Sequence, residues 1–89
     1  MNTSVEATKK LQDALKLARE AQGIIDNLIA PHDYQDVATL IAQAAASMLE
    51  AATLFMEKHD EDALAKIEEA DDLVEAMYDI IDGDLDEDD

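Results

Sequence analysis

Apolar residues recur at helical intervals along the chain, in three runs separated by short polar breaks. In the first run, Leu11, Leu15, Ala18, Gln22, Ile25 and Ile29 follow in alternating steps of four and three. A second stripe, Ala14, Leu17, Ala21, Ile24 and Leu28, lies beside it. Two adjacent stripes make a broad apolar face, wider than the seam of a two-stranded coiled coil. "TSVE" reads as a capping box, with Thr3 as cap and Glu6 three residues on. Pro31 disfavours helical geometry in the residue before it, so the first helix is expected over residues 4–30.

After the turn "PHDYQD", with Asp33 as expected cap, a second helix is expected over residues 34–58. Its core stripe is Val37, Ile41, Ala44, Met48, Ala51 and Phe55. The centre, "AQAAASMLEAA", is rich in small side chains that permit close helix approach. "KHDED" gives a tight connection with Asp60 as cap, and a third helix is expected over residues 61–82. Its stripe is Ala63, Ile67, Ala70, Val74, Met77 and Ile81. Gly83 is the expected stop, leaving residues 84–89 as a disordered acidic tail.

No segment alternates with the two-residue period of a strand. The expected architecture is therefore all-α: an up-down-up three-helix antiparallel bundle in a single domain spanning residues 1–83. The apolar faces are wide for three helices to cover, so dimerisation into a larger bundle is a second expectation.

Charge changes the picture. The chain has 89 residues and a formal net charge of −17, from 23 acids and 6 bases. Residues 1–30 are neutral overall, residues 31–58 carry −3, and residues 59–89 carry −14. Such a charge opposes contact with nucleic acid or an anionic membrane. The chain has no cysteine, and its first residues lack the apolar stretch of a signal peptide, so a cytoplasmic protein is expected.

On the third helix, Glu68, Asp72, Glu75, Asp79 and Asp82 recur in steps of four and three, with Glu69 and Asp71 alongside. A solvated helix face would explain them cheaply. However, seven like-charge pairs at i+3 or i+4 cost on the order of 1.5–3.5 kcal/mol before salt screening. Acids near the C-terminal end also oppose the helix dipole. The first helix instead spaces opposite charges for pairing, as in Glu6–Lys10, Lys9–Asp13 and Lys16–Glu20. The third helix is not charged for stability. From Asp60 to Asp82 its acids average one per roughly 3.4 Å of axis, near the phosphate spacing of one DNA strand.

Other chemistry is thin. "DGDLDED" places acids at alternate positions like the start of a calcium loop, but Glu87 stands where that loop needs glycine. "EEADDLVEAMYD" resembles the carboxylate helices of all-α nucleotide pyrophosphohydrolases, which hold magnesium between two helices. The first two helices offer no matching cluster. His32 and His59 sit in turns, with no partner spacing that marks a catalyst. Gln22, in the first core stripe, could fix register or lie at its margin.

The expected function is therefore non-catalytic, without cofactor or metal. Glu68, Glu69, Asp71, Asp72, Glu75, Asp79 and Asp82 would engage a basic protein surface, with DNA mimicry against a nucleic-acid-binding protein as the sharpest form. The alternative is a structural or adaptor protein binding through its apolar helix faces, as a homodimer or with a partner helix.

Overall fold

The structure is a computed structural model that describes residues 3–87, with side chains as far as Gly83. It consists of α1 (Ser4–Asp26), α2 (Gln35–Met56) and α3 (Asp60–Glu87). Cross-contacts show the alternation of direction. Asp26 at the end of α1 meets Thr39 near the start of α2, whereas Arg19 meets Glu50 further along. Lys66, nearly two turns into α3, reaches the same Glu50. The expected up-down-up order is present.

The helix ends follow local hydrogen bonding. Thr3 caps α1 as expected, its Oγ1 accepting the Glu6 N–H at 3.1 Å. α1 ends at Asp26, four residues before the expected stop at Ala30. The Asn27 amide donates to the Gly23 carbonyl, and Gln35 Nε2 donates to the Ile25 carbonyl, both at 2.8 Å. Two of the carbonyls left open at the helix end are thus satisfied before Pro31 is reached. Gln35 also accepts the His32 N–H at 3.2 Å. That one side chain therefore ties the turn to both helices, and α2 starts after Tyr34 rather than with Asp33 as its cap.

α2 closes in a Schellman motif: His59 N–H bonds to the Leu54 carbonyl at 2.8 Å and Lys58 N–H to that of Phe55 at 3.1 Å. The geometry requires a left-handed residue, and Lys58 supplies it with φ 64. Ala63 N–H bonds to the His59 carbonyl, so His59 takes the cap position expected of Asp60. Asp60, Glu61 and Asp62 instead fill the first turn of α3, where the helix dipole favours them.

Gly83 does not stop α3. Its φ is not positive, and the helix continues to Glu87. Glycine in a helix costs about 1 kcal/mol, which termination does not require unless a left-handed cap forms. The expected disordered tail is therefore helical at residues 84–87, and Asp88 and Asp89 lie outside the described residues.

Packing is the larger departure from expectation. α2 lies between α1 and α3, while α1 and α3 do not approach each other's backbones within 8 Å among the described residues. The bundle is open, a slab of 53 × 28 × 20 Å. Small residues make its seams. Thr39, Ala46 and Thr53, seven apart, form the α2 row toward α1, with Ala46 and Thr53 buried. Ser47 and Ala51, also buried, lie on the other flank, level with the buried Ala63 and Ala70 of α3.

The expected α1 stripe of Leu11, Leu15, Ala18, Gln22 and Ile25 is half-buried, and Ile29 is fully exposed in the turn. On α2, Val37 and Ala51 are buried as expected, but Ile41, Met48 and Phe55 are exposed. These three point away from both neighbours. By length and composition alone α2 could also cross a membrane, a test that the central helix of a three-helix layer passes equally.

Two substitutions follow from these ends. A Cβ at Gly23 would meet nothing within 4 Å, so Gly23→Ala should raise stability by about 0.5–1 kcal/mol. Lys58→Gly should gain a similar amount by relieving the left-handed lysine. Urea unfolding of each variant against the parent chain checks both.

Candidate protein-binding surface

The carboxylates of interest are carried by a helix whose buried line is Ala63 and Ala70, continued by the half-buried Val74, Met77 and Ile81. Helical geometry turns Glu68, Asp72, Glu75 and Asp79 away from that line. The structure leaves Glu68, Glu69, Asp71, Asp72, Glu75, Asp79 and Asp82 all exposed. One of the seven has an ion-pair partner among the described residues: Glu69, which Lys66 of the same helix meets at 3.3 Å. Among the described residues, no base of α1 pairs with an acid of α3. The result is a continuous carboxylate edge along one long side of the slab.

Expected ion pairs and observed ones differ. Glu6–Lys10, Lys9–Asp13 and Lys16–Glu20 are not within pairing distance, as suits long solvated side chains that gain little from contact in water. The pairs that form centre instead on Glu50 of α2. Its carboxylate takes Arg19 from α1 through one oxygen and Lys66 from α3, at 3.1 Å, through the other. Among the described residues, this node is the ionic link between two helices whose backbones do not approach each other.

Sequence periodicity did not point to the node. Its signal was available, because Glu50 is the one charged residue between Val37 and Met56. Glu50 and Glu69 together hold the Lys66 ammonium above its usual range, through hydrogen bonds first and charge second.

No group of three His, Asp or Glu side chains that could hold a metal occurs among the described residues. The stretch read as the start of a calcium loop is helical as far as Glu87. The acids that resemble a pyrophosphohydrolase helix point outward, and Glu50, the half-buried acid of α2, is occupied by its two cations. The concavity at the α1–α2 turn, lined in part by Pro31, His32 and Tyr34, opens to solvent. No protein-family model, curated protein or solved structure matches the chain.

Glu50→Gln should cost about 1 kcal/mol at low salt and less at high salt, since it leaves Arg19 and Lys66 facing each other unneutralised. Chemical denaturation at two ionic strengths checks this. Because the folded-state pKa of Lys66 is raised, its stabilising contribution is complete below the unfolded value near 10.5 and is lost as pH rises through the folded one. A carbon-13 titration of the Lys66 side chain should show the upward shift, and Glu50→Gln should diminish it.

Proposed function

We propose that the protein is a non-catalytic binding module whose α3 carboxylate edge docks on a basic protein surface in the cytoplasm. One observation carries this reading: six of the seven carboxylates singled out on α3 stand exposed with no cation beside them. A folded chain that keeps such an array against its own repulsion has an electrostatic reason outside itself. Nucleic acid is excluded as the direct partner by the sign of the charge.

The sharpest form of the reading is mimicry of a phosphate backbone. Acids from Asp60 to Asp82 lie on one uninterrupted helix at an average axial spacing of roughly 3.4 Å. A nucleic-acid-binding protein would then be occupied and inhibited. Association would be fast at low salt and strongly weakened as salt rises. The apolar rows of α2 are a separate surface and do not compete with this edge.

The test is a triple reversal, Glu68→Lys, Asp72→Lys and Glu75→Lys, in the full chain. Partners captured by the parent protein should be released by moderate salt, displaced by duplex DNA and lost from the variant. The variant itself should be equally or more stable, by up to about 1–2 kcal/mol, because like-charge pairs are removed. Capture that survives the reversal overturns the reading. Capture lost on reversal but indifferent to duplex DNA keeps the basic partner and removes the mimicry.

A further inference from the structure

Each member of the Glu50 node has an apolar residue two positions before it: Leu17 before Arg19, Met48 before Glu50, and Leu64 before Lys66. Two residues turn a helix by about 200°, so these three lie on the opposite broad face of the slab. They are 64%, 50% and 54% exposed. Ile24 extends the Leu17 row by seven residues, and Ile41 and Phe55 extend the Met48 row by seven each way; these are 67%, 52% and 45% exposed. One broad face of the molecule is therefore ion-paired, and the other has an apolar centre on α2 flanked by Leu17, Ile24 and Leu64, with Lys10 and Asp71 continuing the outer rows.

We propose that a second copy of this chain covers the apolar face, giving a two-fold symmetric six-helix dimer. Surface area supports it first. The chain exposes 6549 Å², about 1,400 Å² more than a compact monomer of its mass would. That excess lies within the roughly 1,000–2,500 Å² that each partner of an obligate dimer buries. The interior supports it second. Among the described residues, no large side chain is fully buried, and none of α1 is buried. A face that supplies the missing core belongs to the fold itself, not to an occasional visitor.

Charge then selects the symmetry. Face-to-face stacking allows two arrangements. With the two-fold axis across the helices, α3 stacks on α3 and two strongly acidic segments meet. With the axis along the helices, α3 stacks on the partner's α1, with Lys10 and Lys16 near the level of Asp60, Glu61 and Asp62 at its start. Like-charge apposition rules out the first. Because Arg19 and Lys66 share Glu50, they are level, and Leu17 is level with Leu64. The second arrangement therefore sets Leu17 on the partner's Leu64 and Met48 on its own symmetry mate. Asp72 and Asp79 stay on the outer edge, whereas Asp71, seven residues after Leu64, lies on the covered face.

Sedimentation equilibrium of the full chain tests the proposal. The expected mass is twice 9.7 kDa, with a melting temperature that rises with protein concentration. Met48→Glu sets two carboxylates against the axis and should raise the dimer dissociation constant about 100-fold or more, whereas Met48→Leu should leave it near the parent value. Zero-length coupling of amines to carboxylates, in a mixture of isotopically distinct chains, should join Lys10 or Lys16 of one chain to Asp60, Glu61 or Asp62 of the other. Should Met48→Glu fail to fold, the parent chain's mass, melting and cross-links still decide. A chain monomeric from micromolar to millimolar concentration overturns the proposal, as does a dimer that survives Met48→Glu. Binding of a monomer to neutral lipid vesicles would give the face to a membrane instead.

Discussion

Close approach along two flanks of α2 is the constraint from which the rest of the structure follows. Alanine, serine and threonine at positions 46, 47, 51 and 53 let α1 and α3 sit tightly against the central helix. Small side chains make good seams but bury little apolar area. The bulky residues are consequently pushed to the margins, half-covered on α1 and exposed on the third side of α2. An ordinary domain of this length would have gathered them inward.

The distribution of charge answers to the same arrangement. Where helices need to be held, opposite charges meet: Arg19, Glu50 and Lys66 tie the slab together on the face away from the apolar rows. Along the outer edge of α3 nothing needs holding, and the carboxylates there stand apart from every base of α1. One helix thus carries two chemistries. Ala63 and Ala70 face the molecule, while Glu68, Asp72, Glu75 and Asp79 face outward.

Much of this was legible from residue order alone. Thr3 announces its cap, the α1 stripe is half-buried where its spacing places it, and the α3 acids fall on the open side as their steps of four and three require. What was not legible has physical causes. A heptad row such as Ile41, Met48 and Phe55 looks the same whether it faces a core or awaits a partner, because periodicity records chemistry and not occupancy. Asp33 and Asp60 are good caps locally, but α2 begins after Tyr34, where Gln35 ties the turn back to Ile25, and the backbone of His59 precedes the first turn of α3. Gly83 stops a helix only when the next turn needs a left-handed residue. That geometry falls at Lys58 instead, where no glycine advertised it.

Within one chain, a layer whose outer helices approach the backbone of the central one and not each other's has a dynamic corollary. Each outer helix is anchored through one interface, as in repeat proteins where every unit leans on its neighbour. α1 can therefore detach without dragging α3 with it, and the reverse holds as well. Backbone amides of α2 should be the last to exchange with solvent, and the chain should open from its edges inward.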